Sequence, residues 1–264
     1  MAKKLSFVRP PVHSVVLSVF LQPLSKLRTL DLAPLRVEWR HQYPELQELT
    51  PLPSWGPQEP ESVQFVQSGL SWPMPMCVFV TESGDQRIRF QYDRFIFSWH
   101  FQPDGSGYPG FEALKAELSE KFERFSKLSH EAVGEIPEVK RVSVEYVNNL
   151  LGMTAHEAMA GVLTGWKAEC AFPFAKPDYS GFRVHYCEYE ENPSIGVLVG
   201  VDSAVGEGVE DEIPDSSNLS LSAESDIESD SDFWGALDDA HDVVTSVFKK
   251  VTSERMRQGW GETE

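Results

Sequence analysis

Residues 88–101 alternate. Ile88, Phe90 and Tyr92 are spaced by Arg89 and Gln91, and after Asp93-Arg94 the pattern resumes as Phe95, Phe97, Trp99 and Phe101, with Ser98 and His100 among the residues between. Successive side chains in a strand point to opposite faces, so a period of two sets one apolar face on a core and one polar face toward water or a partner. Residues 76–81 read as a further short strand, with Ser83-Gly84-Asp85 as the turn between them. Any fold of this chain must therefore contain an antiparallel meander. Pro103-Asp104-Gly105 breaks it, and Tyr108-Pro109-Gly110 leads into a helix. Phe111, Leu114, Leu118, Phe122 and Phe125 fall at steps of three and four, which makes that helix apolar on one side.

The flanking sequence extends the pattern. Residues 12–21 predict a strand between Pro10-Pro11 and Pro23, and residues 24–40 carry helical spacing interrupted at Pro34. Tyr43-Pro44 ends that helix, and residues 50–60, with four prolines and a glycine, predict a connection. The second part of the chain predicts a strand at 142–150, a short helix at 154–163, and strands at 166–174, 182–189 and 195–202. A final helix carries Trp234, Leu237, His241, Val244, Phe248 and Val251 on one stripe. Strand, short helix, antiparallel strands and long helix thus occur twice. The expected fold is α+β: two pseudo-repeated halves, 1–137 and 138–264, each a meander with a long amphipathic helix, packed as one unit.

Charge separates one segment from the rest. The formal net charge is −18, and residues 207–232 hold ten carboxylates and no Lys or Arg; −18 with those ten removed leaves −8. Like charges repel along such a segment, so residues 203–232 are expected to be a disordered, solvated insertion. An acidic surface disfavours nucleic acid bound through its phosphates. Cys77, Cys170 and Cys187 are odd in number and far apart, which argues for a reducing compartment. Met1-Ala2-Lys3-Lys4 begins like a signal peptide, but the apolar run is short and lacks a cleavage site. No run approaches the roughly 20 apolar residues that span a bilayer. A cytoplasmic location, without membrane insertion, is expected.

Motifs that assemble chemistry are missing. The sequence has no Gly-x-Ser-x-Gly elbow, no Walker loop and no Cys-x-x-Cys. Cys170, His185 and Cys187 offer soft ligands without a fourth at familiar spacing, and Asp226, Asp230 and Asp232 lack the glycine that shapes a calcium loop. No metal and no cofactor are expected. Cys77 could approach His100 across the meander, a proximity common in sheets. His241 lies on an apolar stripe, where the ordinary role is a hydrogen-bonded core histidine and the chemical one a general base. Arg87, Arg89 and Arg94 lie on the polar side or turn of the meander. They form either a solvated face or a surface for acidic groups, including the chain's own acidic segment.

The ordered set of short motifs is similar to a known family. It comprises Pro11 before the strand around Val16–Val19, Trp39 with Tyr43-Pro44, and Gln91 to Trp99 with its Asp93-Arg94-Phe95. Tyr108-Pro109, Val144-Glu145-Tyr146-Val147-Asn148, Ala240-His241, Phe248, Thr252-x-Glu254 and Trp260 complete it. On these residues the chain resembles a sporadically distributed family of uncharacterised bacterial proteins of about this size. The resemblance implies a single fold and a bacterial origin, and the family has no assigned reaction. Its acidic stretch before the last helix is longer here than the family pattern needs. Sporadic distribution suggests mobile or defence-related gene neighbourhoods.

The expected function is a non-enzymatic protein-binding module of antitoxin, immunity or phage-defence accessory type. Arg87, Arg89 and Arg94 on the sheet, and Asp226, Glu228, Asp230 and Asp232 in the acidic segment, would meet a basic protein partner. The alternative is a hydrolase or nuclease-like enzyme assembled around His241, with Glu254 and Arg255 among its candidates. A self-assembling subunit is a third class, so a homo-oligomer stays open.

Overall fold

The computed structural model describes residues 6–7, 9–53, 55, 74–103, 107–163, 180–203, 216–228 and 232–263. After a short strand β1 (Ser6–Phe7), the apolar run that follows Pro11 becomes β2 (Val12–Leu21). Its Val15, Leu17, Val19 and Leu21 are fully buried, while Ser14 and Ser18 occupy the other face. The helix expected over 24–40 is shorter than its spacing suggests. A 3-10 turn at Thr29–Leu32 precedes α1 (Ala33–Trp39), because Pro34 is tolerated only in a first turn, where its missing N–H would have no partner. Strand β3 (Glu45–Leu49), unforeseen in the sequence, leads to the meander of β4 (Met76–Val80), β5 (Gln86–Gln91) and β6 (Arg94–His100). Helix α2 (Phe111–Val133) ends at Gly134, whose φ of +76° is the left-handed cap that glycine adopts without strain.

Next come β7 (Val139–Leu151) and α3 (Ala155–Val162), the latter opened by a Thr154/Glu157 capping box. They are followed by β8 (Gly181–Tyr186), β9 (Ile195–Ser203), β10 (Ser216–Asp226), α4 (Phe233–Val251), α5 (Glu254–Gly259) and β11 (Glu262–Thr263). Nine strands form an antiparallel sheet in the order β3-β4-β5-β6-β2-β7-β10-β9-β8, and β1 pairs with β11 apart from it. The class is α+β. The strand expected at 166–174 lies outside the described residues. Among the described residues no helix is long and apolar enough to cross a membrane.

The insertion expected over 203–232 is corrected in part. Residues 216–226 are a sheet strand, paired from Ser217 to Ser225 with Ser203 to Ile195. The ten carboxylates fall into two groups of five, 207–215 and 224–232, and residues 216–223 between them carry no charge. There Leu219, Leu221 and Ala223 alternate with Ser and Asn and are fully buried. Period-two burial outweighs the charge of the flanks.

Compactness divides the chain otherwise than at 137/138. Among the described residues one unit draws on Met1–Val15, Ser143–Ser225 and Trp234–Glu264, and the other on Val16–Val142 and Asp226–Phe233. In the second unit α2 lays Leu114, Leu118, Phe122 and Phe125 on the meander. Phe90 stacks on Phe95 with centroids 6.1 Å apart and meets Phe125 at 5.3 Å, and Trp39 meets Phe79 edge-on at 5.3 Å. Each such side chain contributes roughly 1.5–3 kcal/mol by burial, and aromatic pairing adds roughly 0.5–1.5 kcal/mol. The one-sided pattern expected of the meander does not hold for β4 and β6. Met76, Val78, Val80, Ile96 and Ser98, on the face away from Phe79 and Phe97, are buried as well. In the first unit, the buried stripe of α4 (Leu237, Ala240, Val244, Val247, Phe248) shares the core with Val144, Val197, Val199, Leu219 and Leu221. Phe7, Phe248 and Trp260 close that core as an aromatic trio at 5.6–6.3 Å.

One polar cluster is buried inside the second unit. Gln91 faces Arg94 across a turn whose two residues are Tyr92 and Asp93. The Asp93 carboxylate, fully buried, accepts from Gln91 Nε2 at 2.8 Å, Arg94 Nε at 2.9 Å and Arg94 Nη2 at 3.1 Å. Gln91 also exchanges two hydrogen bonds with the Leu52 backbone, and Arg94 donates to the Pro53 carbonyl. Main-chain carbonyls of Asp93 and Tyr92 receive the N–H groups of Leu21 and Leu24. Removing one partner of a buried pair leaves an uncompensated charge. Asp93→Ala should therefore cost about 3–5 kcal/mol in urea unfolding, whereas Lys26→Ala, at an exposed pair with Glu135, should change stability by about 0–1 kcal/mol.

Candidate partner-binding face

Four adjacent strands, β6, β2, β7 and β10, each place one side chain in a continuous row, which Trp55 completes. The Arg94 guanidinium carbon lies 5.7 Å from the centroid of Phe20, Phe20 lies 5.6 Å from Trp55, and the Arg141 guanidinium carbon stands 5.4 Å from the Trp55 ring. Arg141 Nε then donates to Asp226 Oδ1 at 2.6 Å. Trp55 is oriented by its Nε1–H, which donates to the Leu21 carbonyl at 3.1 Å. A cation over an aromatic ring gains roughly 0.5–1 kcal/mol when exposed and more when desolvated. The row runs from buried to open: side-chain exposure is 8% at Arg94, 27% at Arg141 and 72% at Asp226. Its outer end is therefore a carboxylate held in place by a cation, beside exposed Glu228.

The structure distributes the expected site residues unevenly. Arg87 is exposed opposite Ser98, and Arg89 is half-buried between Val78 and Ile96. Arg94 is a correction: it is buried on Asp93 and presents no free surface, because the tip of the hairpin is folded under residues 52–53. Asp226 pairs with Arg141, Glu228 and Asp232 are exposed, and Asp230 lies outside the described residues. The acidic segment does meet an arginine of the sheet, and that arginine is Arg141. Phe20, Trp55 and Arg141 were not singled out by sequence reasoning. Trp55 sits in a proline-rich connection that carries no periodicity, and only the position of Arg141 near the start of a predicted strand hinted at it.

The chemical candidates resolve differently. His241 is half-buried on α4, its Nδ1 3.2 Å from the Tyr146 hydroxyl and its ring 5.8 Å from that of Tyr146. Glu254 and Arg255 are exposed on α5, where Glu254 accepts from Gln258 Nε2 at 3.0 Å. His100 Nε2 lies 3.0 Å from Ser98 Oγ, but Ser98 is fully buried, so no substrate reaches that hydroxyl. His185 stands 3.9 Å from Glu224, and Cys170 lies outside the described residues. Among the described residues no group of three His, Cys, Asp or Glu side chains is placed to hold a metal ion. A polar groove of about 600 Å³ between α1 and α2 is lined by Glu38, Lys121, Arg124 and neighbours. Two of its cations are engaged by carboxylates: Arg124 by Glu38, and the buried Lys121 by Glu117 and Glu120.

Thiol chemistry follows burial. Desolvation, with the charge of Glu48 adding to it, pushes the Cys77 thiol up to about 12. The folded chain keeps a proton that the unfolded chain releases near pH 9, so this group's contribution to stability falls as pH rises from 9 toward 12. Cys187 is exposed. With a disulfide reagent at pH 8, the native protein should label at Cys187 and leave Cys77 unmodified until it is unfolded, as peptide mass mapping will read; early labelling of Cys77 would contradict its burial. No family model matches this chain, and no curated protein matches it in sequence.

Proposed function

We propose that this protein is a non-enzymatic binding module that takes a basic protein partner on the exposed carboxylates Asp226, Glu228 and Asp232. The reading is supported above all by Asp226, which is strongly exposed yet held by Arg141 at the open end of the cation–aromatic row. A carboxylate fixed by a neighbouring cation loses less side-chain entropy on binding than a free one, and the arginine lends it position at the cost of part of its charge. Glu228 and Asp232, both just before the start of α4, supply the remaining attraction. The chain's net charge of −18 favours fast, salt-sensitive encounter with cationic proteins and opposes phosphate backbones.

The setting consistent with this reading is the cytoplasm of a bacterium, in the sporadically distributed family that the motifs resemble, as an antitoxin, immunity or phage-defence accessory protein. Charge reversal tests it. Tagged protein recovered from its host in low salt should carry a stoichiometric basic protein that dissociates as salt rises. The variant E228K/D232K, at exposed positions that leave the core intact, should weaken that complex about tenfold, the sum of several rim charges. Unchanged capture by the variant would remove the acidic segment from the interface.

A further inference from the structure

We infer that the outer edge of β3 is a docking strand for a basic, extended segment of a partner protein, which would join the sheet as a tenth strand. The inference shares the basic partner of the preceding section but rests on a different surface. Strand β3 is terminal in the nine-strand order, and all five of its residues, Glu45 to Leu49, are exposed. It pairs regularly with β4 over its full length, Glu45 opposite Val80 through Leu49 opposite Met76. Its backbone is therefore already extended, and no described residue pairs with its far side. A strand in that state presents a ready row of N–H and C=O groups.

Side chains then select the kind of strand. Leu46 and Leu49, 39% and 49% exposed, stand opposite buried Phe79 and Met76. Each continues an apolar row that stops at the edge, one on each face of the sheet. Glu45 and Glu48 supply the charge, and the surrounding sequence reinforces it. Among the described residues at 41–53 and 74–86 there are four carboxylates (Glu45, Glu48, Glu82, Asp85) and no Lys or Arg. The opposite edge, β8, bears Arg183 and His185 and no carboxylate, so a basic strand is drawn to β3 alone. A second copy of the chain, itself at −18, is repelled by the same charge.

Register turns this into a sequence. An antiparallel newcomer would meet Leu49, Glu48, Gln47, Leu46 and Glu45 in turn, which asks for apolar, basic, polar, apolar and basic residues, since directly opposed pairs carry the cross-strand energy. The probe is the acetylated, amidated peptide Thr-Val-Lys-Thr-Val-Lys-Thr. Hydrogen exchange should show protection of the amides of residues 45–49 on binding, and E45K/E48K should weaken the peptide about tenfold with an unchanged melting temperature. Two further peptides, N-methylated at odd or at even positions, keep every charge; the one that loses its pairing edge should bind at least tenfold more weakly. Equal binding of both methylated peptides, or bound peptide without protection at 45–49, overturns the inference. If E228K/D232K abolishes peptide binding and E45K/E48K does not, the docking strand falls and the acidic-segment reading stands; the reverse result keeps β3, and the acidic-segment reading then stands or falls by the capture experiment alone. Protection of 45–49 in a peptide-free dimer overturns the inference in favour of self-pairing.

Discussion

A charge removed from water at the tip of the β5–β6 hairpin organises the unit around it. Asp93 is fully buried and would be prohibitively costly there without Arg94 and Gln91 to satisfy its oxygens. Satisfying Arg94 in turn fixes the Pro53 carbonyl and the Phe20 ring, and satisfying Gln91 fixes Leu52. The end of β2 is held by the same turn through two main-chain hydrogen bonds. One carboxylate thus specifies where a hairpin, a long strand and a proline-rich connection meet. Hydrophobic packing alone would leave that meeting point loosely defined, because Phe and Leu accept many arrangements of similar energy.

Four arginines share a common fate. Arg94 serves Asp93, Arg124 serves Glu38, Arg141 serves Asp226, and Arg257 donates to the carbonyls of Lys249 and Thr252 at the end of α4. Guanidinium groups suit such positions because their planar forks satisfy several acceptors at once. With much of the positive charge held inside local networks, the exposed surface is more acidic in effect than the ratio of residues implies. Carboxylates outnumber partners by composition, 41 against 23 basic residues, and the excess is densest at residues 207–215 and 224–232, five carboxylates each.

How far the fold could be read in advance depended on periodicity. The alternation of Ile88 through Phe101 gave β5 and β6, the three- and four-residue steps from Phe111 gave α2, and the β-branched run after Pro11 gave β2. Strand β10 was hidden because ten carboxylates were summed over a window that also contains Leu219, Leu221 and Ala223. Strand β3 was hidden because Glu-Leu-Gln-Glu-Leu has no strand period and buries nothing. The site was less legible than the fold. Arg94 and Asp226 were noticed as charges, but the aromatic rings that link them into a row come from distant parts of the chain and become neighbours only through sheet order.

Interleaving of the two units has a consequence for the order of events on the ribosome. The unit containing Met1–Val15 also needs Trp234–Glu264, so its earliest residues emerge long before the helix that completes their core. The other unit draws nearly all its residues from Val16–Val142 and can consolidate first. Synthesis from the N-terminus at about 5–20 residues per second would leave those early residues waiting roughly ten to forty-five seconds for α4. Closing so long a loop costs little additional entropy per residue, so the delay is one of time more than of free energy. During that interval β2 can already pair with β6 and β7, but the apolar face that α4 covers stays open, a state in which shielding by a chaperone or by net negative charge decides between folding and aggregation.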